Sequence, residues 1–111
     1  MPRGAHLGEF EQIVLLAVVR MEGEGYGAEL RREIEEVTGR DVSVGSVYAT
    51  LDRLEEKGLV ASWEGDSTPV RGGRARRHFR ITPAGARALI AQREMMGRLW
   101  RGVDLDRVEP A

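Results

Sequence analysis

Five arginines, Arg71, Arg74, Arg76, Arg77 and Arg80, fall within ten residues, with Gly72 and Gly73 among them. Guanidinium groups at that density suit phosphate oxygens, and glycines let a loop follow the groove of a polyanion. The bland alternative is a solvated basic turn. Strand alternation would divide the set, placing Arg77 with Phe79 and Ile81 on one face and Arg76, His78 and Arg80 on the other. Phe79 and Trp63 are then expected to pack this region onto the rest of the chain.

A second set offers different chemistry. In "VSVGSVYATLDRLEEKGLV", Val42 to Val60, a helix with an apolar stripe at Val44, Val47, Leu51 and Leu54 opens on Ser43, Gly45 and Ser46. Gly45, Ser46 and Ala49 face away from that stripe, so the exposed front is small while the back is anchored. The major groove of B-DNA admits a single helix, and base edges are reached only when the helix N-terminus comes close. Backbone N–H groups at that end also favour phosphate oxygens. Tyr48 and Arg53 are the long groups able to reach out, Tyr48 to a phosphate or sugar edge and Arg53 to a phosphate or a guanine. The competing reading is simple helix capping, with Tyr48 packed under the first helix.

Little else is chemically equipped. His6 and His78 are the two histidines, cysteine is absent, and no carboxylate cluster, nucleophile–base pair or glycine-rich phosphate loop accompanies them. No catalytic residue, metal ligand set or cofactor is therefore expected. The lack of cysteine rules out a disulfide framework and makes a reducing, cytoplasmic setting the expectation. The longest apolar run, Ile13 to Val19, is far short of the roughly 20 residues that cross a membrane, and no signal peptide is recognisable.

A net charge of −1 would argue against a nucleic-acid partner if the charge were uniform. It is not. Met1 to Val60 carries 7 basic and 12 acidic residues, Ala61 to Arg80 carries 5 and 2, and Ile81 to Ala111 carries 5 and 4. The positive charge is local to the arginine cluster. Lys57 is the one lysine among 17 basic residues, so arginine usage itself is no sign of selection for phosphate.

The elements that must hold these groups follow from periodicity in 111 residues, a length that suits one small domain. Leu7 to Met21 is apolar nearly all round and predicts a central, heavily buried helix. After "EGEGYG", Leu30, Ile34 and Val37 predict a second, amphipathic helix stopped by Gly39. Ser43 is the expected N-cap of the third helix, from about Val44 to Lys57, with Gly58 as its stop. "LVASWEG" and "RRHFRI" alternate around a turn-rich segment and predict a β-hairpin, after which Thr82 and Pro83 launch a last helix through "AGARALIAQREMMGRLWRGV". The expected fold is mainly α with a small β-hairpin (α+β): a winged helix-turn-helix over residues 1–82, then a C-terminal dimerisation helix and tail over residues 83–111. Dimerisation follows from the last helix, where Leu89, Met96 and Val103 repeat every seven residues with Met95, Leu99 and Trp100 alongside. A partner helix is the economical cover for so wide a stripe, the alternative being a fold-back onto its own domain. A two-fold dimer sets two recognition helices about 34 Å apart, matching a palindromic site on double-stranded DNA.

"LGEFEQIVLLAVVRM", "GYGAEL", "VSVGSVYATLDRLEEKGLV" and "GGRARRHFRITPAGARAL" stand in the order, and with nearly the spacing, of the PadR-like transcriptional regulators, which the chain resembles from about Leu7 to Trp100. The resemblance implies a homodimeric winged-helix repressor released by a small ligand, with the third helix in the major groove and the wing on the adjacent minor groove or backbone. It places recognition-helix contacts at Ser43, Gly45, Ser46, Tyr48 and Arg53, and wing contacts at Arg74 and Arg76. The dimer interface falls on Leu89, Met96, Leu99, Trp100 and Val103. The single last helix looks like that of the short branch of the family. Some of its members hold flat aromatic compounds between paired tryptophans, which makes Met96 and Trp100 the ligand residues and an aromatic small molecule the effector. Two departures stand out: many relatives have proline where Val44 stands and tyrosine where Phe79 stands. Two other classes remain, a winged helix used for protein–protein contact without DNA, and a small enzyme, for which no residue set speaks.

Overall fold

A computed structural model describes residues 6–21, 26–65 and 77–110. Its elements are α1 (Glu9–Arg20), α2 (Gly27–Thr38), α3 (Val44–Glu56), β1 (Val60–Glu64), β2 (Arg77–Ile81) and α4 (Pro83–Trp100), with a 3-10 turn at Leu105–Arg107. Three helices, a two-stranded antiparallel sheet and a long closing helix give the expected α+β winged-helix order.

Local signals start the helices, and stop α2 and α3, where the sequence placed them. The Gly8 N–H donates to Glu11 Oε1 at 2.9 Å, closing the first turn of α1. Ser43 Oγ accepts from the Ser46 N–H at 3.0 Å and Thr82 Oγ1 from the Gly85 N–H at 3.0 Å, so both expected caps satisfy orphan donors. Gly39 and Gly58, at φ 72° and 76°, lie where α2 and α3 were expected to stop.

The core sits where α1, α2, α3 and the inner sheet face meet. Val14, Leu15 and Val18 of α1 close on Leu30 and Ile34 of α2, on Val47, Leu51 and Leu54 of α3, and on Phe79 of β2. Phe79 is fully buried and brings no polar atom to satisfy. Burying it stabilises the chain by roughly 2–3 kcal/mol before conformational entropy is counted.

Several sequence expectations need correction. α1 is not buried all round, for Leu16 is 49% and Val19 42% exposed. Val37 does not continue the stripe of α2 into the core and is exposed. Val44 leaves the stripe of α3 because, as the first helical residue, it precedes the turn that meets α1; Thr50 is buried instead. Trp63 lies opposite His78 in the sheet register, on the outer face, so Phe79 alone of that pair packs the hairpin inward. Val103 is not on the last helix: α4 ends at Trp100, and Gly102 at φ 76° turns the chain, a conformation a side chain would strain.

Only the start of α4 joins the core, through Gly85 and Ala88. Leu89 still packs partly against that core, and from Arg93 onward every residue of α4 is exposed, in a molecule with principal extents of 59 × 36 × 20 Å. Among the described residues no helix is long and apolar enough to cross a membrane.

Candidate nucleic-acid interface

The tip of α3 is exposed at Ser43, Gly45 and Ser46, and the two serine hydroxyls lie 2.8 Å apart. A β-carbon on Gly45 would meet nothing nearer than Ser43 Oγ at 3.9 Å. Gly45 is the second residue of α3, where glycine still gives up helix propensity relative to alanine, though less than in a helix interior. Among the described residues nothing asks for glycine at Gly45. Gly27 is different, for a β-carbon there would enter the ring of Tyr48.

That contact relocates Tyr48. The ring is half-buried between the start of α2 and Phe79, 6.4 Å from the Phe79 ring at 59°, and is not a freely extended group. Arg53 is the more open of the two reaching residues, its side chain 55% exposed. Its Nη2 donates to Thr50 Oγ1 at 3.1 Å and its Nε lies 3.8 Å from Glu11 Oε2, so it rests against the α1 side while leaving much of its guanidinium free.

Arg71, Arg74 and Arg76 lie outside the described residues. Arg77 does not act as a free member of the cluster: Nη1 donates to Asp52 Oδ1 at 3.0 Å, Nη2 to Glu55 Oε1, and Nε to Ser62 Oγ at 3.3 Å. Ser62 Oγ in turn donates to Glu55 Oε2 at 2.6 Å. Burial alone would lower the Arg77 pKa, but hydrogen bonds to Asp52 and Glu55 and their charges raise it. The Ser62 hydroxyl, with Arg77, holds the Glu55 carboxyl below its ordinary value. On the outer face, Trp63 stacks on His78 with centroids 5.6 Å apart, Tyr26 meets His78 edge-on at 6.1 Å, and Arg80 lies 5.5 Å from the Trp63 ring. The base of the wing is therefore held from both sides.

Lys57 anchors the other end of α3. Its Nζ donates to both oxygens of the buried Glu11 at 2.9 Å and to the His6 carbonyl at 3.2 Å. Burial would raise the Glu11 pKa; the Lys57 hydrogen bond, the Gly8 amide and the charges of Lys57 and Arg53 outweigh it and bring it down.

Away from α3, an apolar groove of about 480 Å³ runs between α1 and α4, lined by Leu16, Val19, Leu89, Ile90 and Met96 with Gln12 and Arg93 at its edges. It continues at Met96 into a shallow hollow formed with Leu99, Trp100 and Val103. The residues expected at a dimer face thus share one surface, including Val103 beyond the helix end. Leu16 and Val19 were missed because periodicity alone cannot separate an all-round buried helix from one with a second, uncovered face. The Asp52–Arg77–Glu55 group was missed because its partners lie 22 and 25 residues apart along the chain.

A family model described as the transcriptional regulator PadR-like family matches residues 15–91. Transcriptional regulator Rv3488 of Mycobacterium tuberculosis is 43% identical over 82 residues, 74% of this chain and 72% of that protein. Among solved structures, a PadR-like transcriptional regulator from Bacillus cereus superposes with a TM-score of 0.69 at 25% identity, covering 90% of this chain and 93% of that one. A complex structure of hsRosR-S4 gives a TM-score of 0.72 at 27% identity, covering 91% and 81%.

Proposed function

The chain belongs to the PadR-like family of transcriptional regulators, and we propose that it works as a homodimeric repressor that reads a palindromic site on double-stranded DNA and is released by a small aromatic ligand. The observation that carries the DNA reading is Gly45. A helix-weakening residue stands with open space around it at the exposed tip of a helix anchored along its back, and close approach of another molecule accounts for it. Ser43, Gly45 and Ser46 meet the base edges or phosphates of the major groove, Arg53 takes a phosphate or a guanine, and Arg74 and Arg76 bring the wing to the backbone. Tyr48 sets the seat of α3 against α2 and offers at most its edge to DNA.

Dimerisation rests on the uncovered apolar surface. Leu89, Met96, Leu99, Trp100 and Val103, with Leu16 and Val19 of α1, form one continuous face that a second copy covers. Met96 and Trp100, exposed where two copies would meet, are the residues proposed to hold the aromatic effector. The unit over residues 1–82 binds DNA and residues 83–111 pair the subunits.

Selection on random duplex DNA tests this reading. A palindromic consensus should emerge, and Arg53→Ala should weaken it by about tenfold or more, as for loss of one base or phosphate contact. Tyr48→Ala should act mainly by loosening α3. No consensus from a folded dimer would instead favour a protein-contact module, whose function would survive charge reversal at Arg74 and Arg76.

A further inference from the structure

A carboxylate stands on the helix face assigned to DNA. Asp52 is seven residues after Gly45 and three after Ala49, on the same exposed side of α3, and its side chain is 61% exposed. Glu55 follows one turn later at the wing side. Two negative groups there would repel phosphate unless something answered them. Arg77 does so from β2. Each of its three nitrogens already has an oxygen partner, on Asp52, Glu55 and Ser62, and the guanidinium centre lies 4.9 Å from the Phe79 ring. Three of its five N–H donors are taken and its charge is answered by two carboxylates, so it is poorly placed to serve phosphate first. It is well placed to tie α3 to both strands of a hairpin that is marginal alone.

We propose that Arg77 is a positioning residue for DNA binding: it fixes the wing at one angle to α3 and neutralises two carboxylates on the DNA-facing side, without touching DNA. The inference rests on the DNA reading above. It makes Glu55 and Ser62 parts of the same device, because Glu55 holds Arg77 with one oxygen and Ser62 with the other.

The test compares Glu55→Gln, Arg77→Met, Arg77→Lys and the Glu55→Gln/Arg77→Met double variant of the full chain on its selected duplex. Simple electrostatics says that neutralising Glu55 beside a polyanion should tighten binding. Positioning says the reverse: Glu55→Gln and Arg77→Met should each weaken binding by about tenfold, and the double variant should be no weaker than Arg77→Met alone. The salt-dependence slope should also fall by more than the ~0.9 of a single phosphate contact, since the wing contacts are lost together. Arg77→Lys, which keeps the charge and loses the fork, should be weakened too. Thermal melts check folding, and if Arg77→Met fails to fold, Glu55→Gln and Arg77→Lys decide the matter. Tighter binding by Glu55→Gln, or an Arg77→Met loss that is the same in both backgrounds with a slope change near 0.9, overturns the proposal and makes Arg77 a phosphate ligand. A wild-type chain that selects no duplex overturns the DNA reading itself, and this inference with it.

Discussion

The two ends of the molecule leave opposite kinds of surface unsatisfied. Around α3 and the base of the wing, long charged side chains are already tied to one another: Arg77 to Asp52 and Glu55, Lys57 to Glu11. What stays open at the tip is small: Ser43, Gly45 and Ser46 beside the partly exposed Val44. Along the outer part of α4 the reverse holds, with Leu99 65% and Trp100 56% exposed and nothing among the described residues covering them. One end is shaped by removing bulk and pre-pairing charge, which suits a rigid, wet, charged partner. The other is shaped by leaving apolar area uncovered, which suits a second copy of itself.

The sharpest way to break this comparison is to charge the apolar end. Met96→Glu with Leu99→Glu changes side chains that contribute little to the fold of one chain, so the variant should still melt cooperatively, at a temperature that no longer depends on protein concentration. The sedimenting mass should halve, and affinity for a palindromic duplex should fall about a hundredfold or more, because the second half-site is no longer bound intramolecularly. A monomeric variant that keeps full affinity would separate the two ends functionally.

A smaller effect distinguishes two glycines that the sequence makes look alike. Gly45→Ala should leave folding unchanged or stabilise it by less than about 1 kcal/mol, whereas Gly45→Leu should fold normally and bind DNA about tenfold more weakly, by holding the helix off the groove. Gly27→Ala should do the opposite, costing about 1–3 kcal/mol of stability through the displaced Tyr48 ring. Chemical denaturation and duplex titration on the same samples check both. Equal losses of DNA affinity and of stability at Gly45 would mean that the tip is small for reasons internal to the fold.

Element order, caps and the hairpin were legible in the sequence because each depends on residues within a few positions: Ser43 and Thr82 as caps, Gly39 and Gly58 as stops, Phe79 on the inner strand face. The tip of α3 was legible for the same reason. Contacts between elements were not. Nothing local in "GYG" says that Gly27 makes room for Tyr48, and nothing in "RRHF" says that Arg77 faces a carboxylate pair rather than solvent. Val44 and Leu16 were misjudged by a common error, since a periodic stripe says which residues share a face and not how far the neighbouring helix extends along it. Val103 was misplaced because a seven-residue repeat continues on paper across Gly102, where the backbone does not.

The smallest expected effect concerns Lys57, and it sharpens the picture of charge paired within the protein around α3. The folded Glu11 carboxyl titrates below the ordinary glutamate value near 4.5. Below that value the unfolded chain takes up the proton first, so the stabilisation from Glu11 is complete above about pH 4.5 and is lost as pH falls through the folded pKa. Lys57→Met removes the strongest of the interactions that lower it and leaves burial, which pushes the other way. At pH 7 the variant should be less stable by about 1 kcal/mol, as for loss of a partly exposed ion pair. The gap from wild type should then narrow as pH falls below 4.5, because protonation of Glu11 removes from wild type what the substitution had already removed. The acid response of Glu55 is common to both proteins and cancels in the difference. A gap that stays constant from pH 7 to pH 3 would show that Lys57 contributes only the packing of its aliphatic stem, and that the ion pair at the foot of α3 adds nothing to its anchoring.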